Sequence, residues 1–386
     1  MTTGGFIAGR LGFKGRMAVI AIAISFFVMI TAVAISGGFR QEIRKGVSDI
    51  TGDVLLTGSD FNYYSDSSPI SSNPPFLAEL EGVRGVESIR GAVYRAGIVK
   101  AGDDIHGVLF KGVTDMDSTL TASIPSRLAR LLKLGEGDEM LTYFVGEKVK
   151  ARKFTVESIY ESLVDTEETL IIYVPADDLR KVNGWEDDQV SALEVSLGDD
   201  FRSRRSIKEK SAEIGTICLL HRDEDEDGLV ATASVDKYSQ LFDWLDLIDF
   251  NVVAILILMT IVAGFNMISG LLILLFRNVS TIGTLKSLGM TDKSIAGVFL
   301  RVSARIVLIG MAIGNALALL FCLIQGTTHV LKLNPENYFV PFVPVSVNIP
   351  LVISADIISF VVIMLLLLIP SLFISKVDPA QTVKAE

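Results

Sequence analysis

Residues 250–276 read FNVVAILILMTIVAGFNMISGLLILLF, contain no charged side chain and are followed at once by Arg277. At 1.5 Å rise per residue, about 20 apolar residues cross roughly 30 Å of hydrocarbon, so this run predicts a membrane-spanning helix. Three further stretches meet the same length rule: Met17–Ile35, Ile306–Ile324 and Ile357–Ile374. The last is extended by the apolar residues Leu351–Ala355 and carries Pro370 near its end. Half of the 386 residues are hydrophobic, which is too apolar for an ordinary soluble enzyme of this length, and part of the excess sits in these blocks.

The first block has two readings. Arg10, Lys14 and Arg16 followed by an apolar run and Ala32-Val33-Ala34 resemble a cleaved signal peptide. A signal core is about 7–15 residues, shorter than this one, so a retained helix is the expectation. In either case the chain after it is exported.

Lys and Arg near span ends set orientation. Arg10, Lys14 and Arg16 precede the first span; Arg277, Lys286, Lys293, Arg301 and Arg305 lie between the second and third; Lys376 and Lys384 follow the fourth. The loop 325–350 holds only Lys332. Both termini are therefore expected in the cytoplasm. Expected segments are a cytoplasmic N-terminus 1–16, span 17–35, exported domain 36–249, span 250–276, cytoplasmic segment 277–305, span 306–324, outer loop 325–352, span 353–374 and cytoplasmic tail 375–386. The expected fold is an α-helical membrane protein, four transmembrane helices in a 1+3 arrangement, with a large mixed α+β domain between helices 1 and 2.

Residues 36–249 hold 24 of the 35 Lys/Arg and 40 of the 45 Asp/Glu, so the domain is strongly acidic while the rest of the chain is basic. An acidic domain is not a nucleic-acid binder, because neutralising phosphate needs the opposite sign. Strands are expected at Asp53–Thr57, Glu87–Val99, Gly107–Val113, Phe154–Tyr160, Thr169–Val174 and Val190–Leu197. Helices are expected at Pro75–Leu80, Pro175–Val182 and Phe201–Ile214, and a loop at Tyr63–Pro75. The amphipathic stretch Val235–Asp249 runs into the second span and reads as an outward continuation of that helix.

The sequence offers little chemistry. No phosphate-binding G-x-x-x-x-G-K-[ST] loop and no G-x-S-x-G elbow occur. His106, His221 and His329 are far apart in sequence, and Cys218 and Cys322 make no disulfide framework. Asp223, Asp225, Asp227 and Gly228 match the opening of a calcium loop, but Ser234 stands where the closing bidentate Glu belongs, so a solvated acidic turn is the reading and no metal site is expected. Asn266, Asn315 and Asp356 are polar residues inside the spans; Asp356 lies near an outer end, and Asn266 is central enough to bond across helices. In Arg277–Met290, Val279, Ile282 and Leu285 recur at helical spacing, which predicts a short amphipathic helix. It serves either as a membrane-resting connector or as a knob for a cytoplasmic partner.

Residues 262–269 (VAGFNMIS) followed by 282–290 (IGTLKSLGM) resemble the ABC permeases of the MacB/FtsX superfamily, and within it the lipoprotein-releasing LolC/LolE type. Residues 35–43 (ISGGFRQEI), Pro370-Ser371, Asp378-Pro379-Ala380 and Val383 resemble that type's segments after the first span and at the C-terminus. The resemblance implies a non-catalytic permease subunit of a bacterial inner membrane, with residues 36–249 in the periplasm. A separate ABC ATPase would bind ATP and Mg, leaving no cofactor on this chain. A second permease chain, identical or paralogous, lipoprotein substrates, a periplasmic chaperone and membrane lipids are the implied partners. Ile282, Gly283, Leu285, Lys286 and Gly289 would face the ATPase; Phe265, Asn266, Met267 and Phe39 would lie at the substrate cavity. Thr281 departs from the family pattern, which usually has an acidic residue before the Ile-Gly pair. The loop Glu161–Glu168 reads either as a partner-binding hairpin or as an ordinary turn. The alternatives are a MacB-like efflux permease, which often carries its own ATPase, and an FtsX-like scaffold controlling periplasmic hydrolases, which generally has a smaller exported domain.

Overall fold

A computed structural model describes residues 16–63, 68–102, 104–114, 116, 118–146, 148–162, 170–221, 228–334 and 338–371. The helices are α1 (Arg16–Thr51), α2 (Leu77–Glu81), α3 (Ser126–Leu132), α4 (Ala176–Asn183), α5 (Arg204–Leu220), α6 (Ser234–Lys237), α7 (Ser239–Arg277), α8 (Val279–Ser287), α9 (Asp292–Thr328), α10 (Ile349–Leu366) and α11 (Leu368–Ser371). The strands are β1 (Val54–Thr57), β2 (Ile70–Ser71), β3 (Val86–Ala101), β4 (Asp104–Val113), β5 (Thr121–Pro125), β6 (Glu139–Phe144), β7 (Lys150–Tyr160), β8 (Ile171–Pro175), β9 (Gln189–Val190), β10 (Ala192–Leu197) and β11 (Val230–Ala233). Two compact units result, one of Met1–Arg40, Leu245–Leu331 and Val343–Glu386, the other of Gln41–Trp244 with Lys332–Phe342.

Four helices of the first unit are long and apolar enough to cross a membrane: α1, α7, α9 and the α10–α11 pair. Lipid tails are as apolar as leucine, so close packing and interhelical hydrogen bonds must hold such helices together. Gly310 and Gly314, one turn apart on α9, let α1 approach closely. A Cβ on Gly310 would stand 2.7 Å from Ile22 Cγ2, and one on Gly314 2.5 Å from the Ala23 carbonyl oxygen. Ile22 and Phe26 of α1 then pack with Met267 and Leu271 of α7, Phe299 and Val307 of α9, and Ile363. Polar links cross the helices as well. The Thr260 and Ser359 hydroxyls are 3.1 Å apart, and Asn315 Nδ2 donates to Asp356 Oδ2 at 2.5 Å, so Asp356 is an interhelical acceptor.

Two helices differ from their expected extents for physical reasons. The apolar run ends near Ile35, yet α1 continues to Thr51 because Phe39, Ile43, Val47 and Ile50 recur every three to four residues and are all buried. Gly37-Gly38 does not break it. A Cβ on Gly38 would come within 2.4 Å of the Pro344 carbonyl group, and Ser346 N–H donates to Ala34 O at 2.9 Å, so the glycines admit a strap laid against the helix. The continuation of the second span begins at Ser239 rather than Val235. Tyr238 (φ −106°, ψ 40°) separates α6 from α7.

In the second unit β11-β1-β10 and the first half of β3 form an antiparallel sheet, with α5 packed on β1 and β11. Ile207, Ser211, Ile214 and Cys218, spaced by three or four, are the face α5 buries, and the Ser203 hydroxyl caps its N-terminus by accepting from Ser206 N–H. The second half of β3 changes partners. It pairs with β4 and, at Ile98–Lys100, with β6, closing β3-β4-β8-β5-β7-β6 into a six-stranded barrel. Phe110, Phe144 and Phe154 fill it, with ring centroids 5.0, 5.6 and 6.4 Å apart. Each fully buried ring contributes roughly 1.5–3 kcal/mol of transfer free energy. Gly97 makes the space for them, since a Cβ there would meet Phe110 at 3.0 Å and Phe144 at 3.2 Å.

All six expected strands and all three expected helices of this unit are present, with shifted ends. Residues 163–169, most of the Glu161–Glu168 loop, lie outside the described residues; the strands before and after it, β7 and β8, are not neighbours in the sheet, with β5 between them. Asp223, Asp225 and Asp227 also lie outside the described residues, as do Arg10, Lys14 and residues 372–386.

Candidate functional site

The segment joining α7 to α9 is built by local rules. Asn278 ends α7 by leaving helical geometry, while its Nδ2 donates to Leu274 O at 2.8 Å. After α8 the chain reverses at Gly289 (φ +89°). Gly289 N–H donates to Lys286 O at 2.9 Å and Met290 N–H to Leu285 O at 3.0 Å, the paired bonds of a Schellman cap. Leu285 and Met290 supply its apolar contact, both packing on the core of the helical unit. Thr291 then caps α9, its hydroxyl accepting from Ser294 N–H.

This architecture redistributes the five residues implied to face an ATPase. Ile282 is 0 % exposed within the helical core, and Gly283 is buried beside it, so these two anchor the segment instead of facing outward. Leu285 is half-buried in the same core. Lys286 Nζ lies 2.9 Å from Asp292 Oδ1 with its side chain 11 % exposed, so its charge braces the turn. Of the five, Gly289 alone is exposed. The outward surface is Ser280, Thr281, Thr284, Ser287 and Leu288, the last 78 % exposed. Leu288 was legible in principle: at 100° per residue it falls about 120° from Ile282, off the buried stripe. Arg277 at the end of α7 and Lys293, Arg301 and Arg305 of α9 are also exposed.

The four residues implied for a substrate cavity are divided too. Met267 and Phe39 are buried, whereas Phe265 is 64 % exposed and Asn266 is exposed beside it. Successive helical residues turn by about 100°, so neighbours on α7 cannot all share one face. An open pocket of about 410 Å³ in the helical unit is lined by other residues, among them Val19, Ala23 and Phe27 of α1 and Ile313 and Leu317 of α9. Near one end of the unit Asp249 of α7 accepts from the Ser36 hydroxyl at 2.6 Å and ion-pairs with Arg40, tying α7 to α1.

Among the described residues no three His, Cys, Asp or Glu side chains gather to hold a metal ion. His106 lies in β4, His221 caps α5 and His329 ends α9. Cys218 and Cys322 are buried and free.

Residues 253–379 match the family FtsX-like permease C-terminal. Over 409 aligned residues the chain is 21% identical to the lipoprotein-releasing system transmembrane protein LolC of Xylella fastidiosa strain 9a5c, covering 98% of this chain and 95% of that one. It is 20% identical, with the same coverage, to the protein of that name in Xylella fastidiosa strain Temecula1. Among solved structures, the periplasmic region of MacB from Actinobacillus actinomycetemcomitans aligns with 51% of this chain and 95% of that one, at 12% identity and a TM-score of 0.30, a superposition too loose to argue from. The family match covers the segment from α7 towards the C-terminus, about a third of the chain, and the alignments to relatives run end to end, so the chain is similar along its length to LolC proteins and, over residues 253–379, to FtsX-like permeases.

Proposed function

We propose that this chain is the permease subunit of a lipoprotein-releasing ABC transporter in a bacterial inner membrane. The observation that carries this reading is the end-to-end alignment with lipoprotein-releasing transmembrane proteins, which includes the acidic domain between α1 and α7. In this reading both termini and residues 277–305 are cytoplasmic and residues 36–249 periplasmic, as the distribution of Lys and Arg supports. ATP and Mg are bound by a partner ATPase. It docks on the exposed face of α8 and its turn, with Leu288 as the apolar anchor and the exposed cations of α7 and α9 steering an acidic partner surface. A second permease chain covers the exposed Phe265–Asn266 face of α7. Lipoproteins enter from the outer leaflet between the paired chains and pass to a periplasmic chaperone. No step of this work needs a catalytic residue on this chain.

The test is depletion of the protein in its native host, followed by separation of inner and outer membranes. Lipoproteins stranded in the inner membrane, before general envelope damage, are the expected result. Normal lipoprotein sorting would refute this reading and turn attention to efflux or to control of periplasmic hydrolases.

A further inference from the structure

An open pocket of about 560 Å³ lies wholly within the second unit, on the outer face of the barrel beside α6. Alternation along β3 and β4 decides which side chains reach it. Gly97 faces the barrel interior, where a Cβ would meet Phe110 and Phe144, so its neighbours Ala96 and Ile98 face outward. Cross-strand partners share a face, and Ala96 stands opposite Leu109, Ile98 opposite Gly107. With Val145 these residues make an apolar wall, of which Ile98 and Val145 are 39% and 54% exposed. A Cβ on Gly107 would meet no atom within 4 Å, so the space above it is open. Polar groups converge at one side. Lys237, the last residue of α6, lines the pocket with Tyr63 and Tyr238; it contacts the Tyr63 hydroxyl, and its Nζ is 5.4 Å from the centre of the Tyr238 ring. Among the described residues Lys237 forms no ion pair with a carboxylate. Burial pulls its pKa down to about 7, which Glu194 opposes and Lys111 reinforces.

We propose that this pocket binds a free medium-chain fatty acid, its carboxylate on Lys237 and its chain along Ala96, Ile98, Gly107 and Leu109. The charge argues for the head. A largely buried ammonium without a counter-ion is held at a desolvation cost, which an anion beside it offsets. It has three N–H donors, of which the Tyr63 oxygen takes one; the other two match the two oxygens of a carboxylate. The wall argues for the tail. Lys237 is the one charged side chain lining the pocket among the described residues, so a sugar or a nucleotide, which needs several polar partners, finds too few here. A phosphate's second charge would go unpaired. The volume falls in the range of roughly 300–1,000 Å³ usual for small-molecule sites. An acyl chain held in ester linkage has no carboxylate to offer, so this ligand is distinct from lipoprotein cargo, and the proposal does not rest on the permease reading.

The experiment titrates sodium octanoate into the full chain in lipid nanodiscs by calorimetry, with the heat of empty nanodiscs subtracted. Saturable one-to-one binding is the expected result. Methyl octanoate, which has the same chain and no charge, should bind about 10- to 100-fold more weakly, the loss of one charge-assisted pair. Lys237→Met should weaken octanoate by the same factor without lowering the unfolding temperature. Gly107→Leu, whose side chain enters the open space, should abolish octanoate binding while the chain stays folded. No saturable octanoate binding beyond empty nanodiscs would overturn the proposal. So would an ester that binds as tightly as octanoate, since the pocket would then be an apolar surface with no site for the head. Lys237→Met within twofold of the parent would likewise overturn it; if that variant does not fold, the comparison of octanoate with its ester on the parent decides. Gly107→Leu that binds like the parent would overturn the placement of the chain.

Discussion

Substitution of Leu288 by alanine tests whether the exposed side of α8 is the proposed docking face, against the buried side that anchors it. Leu288 is 78 % exposed at the turn after α8, so nearly all of its side chain is available to a partner. Fully burying a leucine side chain contributes about 1.5–3 kcal/mol, which corresponds to roughly 10- to 100-fold in Kd. Leu288→Ala should weaken ATPase binding by about that factor, read by titrating labelled ATPase against the permease in nanodiscs, with thermal stability unchanged. Ile282→Ala should do the reverse. Ile282 is 0 % exposed among helical-core residues, and removing its outer carbons costs about 2–4 kcal/mol through lost packing and a residual cavity. Its first sign should be a lower unfolding temperature in detergent. Leu288→Ala binding within twofold of the parent would refute the assignment of the outer face. So would Ile282→Ala that keeps its stability and loses the ATPase, since that residue would then be the contact.

Gly38→Leu should destabilise the helical unit by about 1–3 kcal/mol or more, because its side chain must occupy space held by the Pro344 carbonyl; a thermal melt equal to the parent's would exclude the strap. Lys237, in contact with the Tyr63 hydroxyl, is held down to about 7 from 10.5 mainly by burial, against the pull of the Glu194 carboxylate. Between those pH values the unfolded chain binds a proton the folded one does not, so stability should rise with pH across that window and the slope should vanish in Lys237→Met. Discounted for partial exposure, the change at pH 6 is on the order of 1–3 kcal/mol in favour of Lys237→Met, measured by denaturant unfolding. Asn266→Cys should form an interchain disulfide in membranes if a second chain covers that face; a fully active variant that never cross-links would rule the interface out.

The strongly patterned parts of the fold were legible. Uncharged runs marked every span, and β-rich runs marked β3, β4, β7, β8 and β10. What escaped notice had weak local signals. β5 (TASIP) has small residues and a proline, and it is a strand because β7 and β8 flank it, which only the closed barrel supplies. β6 (EMLTYF) does alternate, with Met140, Thr142 and Phe144 buried, but it follows an acidic, glycine-containing stretch that reads as loop. The turn at α8 shows a subtler limit. Its residues were visible, but their direction was not, because Ile282 and Gly283 serve the chain's own core before any partner. The buried ion pair of Lys111 and Glu194 was invisible for the opposite reason, since isolated charges in strands read as solvated until distant segments meet.

The acidic domain is entered and left by different devices. On entry α1 continues without a break from its apolar run to Thr51, where Tyr94 of β3 and Lys111 of β4 donate to its final carbonyls. On exit the helix is interrupted at one residue: Tyr238 N–H still donates to Ser234 O, while Leu241 N–H donates to Tyr238 O, so the break is a bonded turn between α6 and α7. A continuous helix with capped carbonyls resists bending over its whole length, whereas a single residue outside helical geometry concentrates bending at one pair of dihedrals.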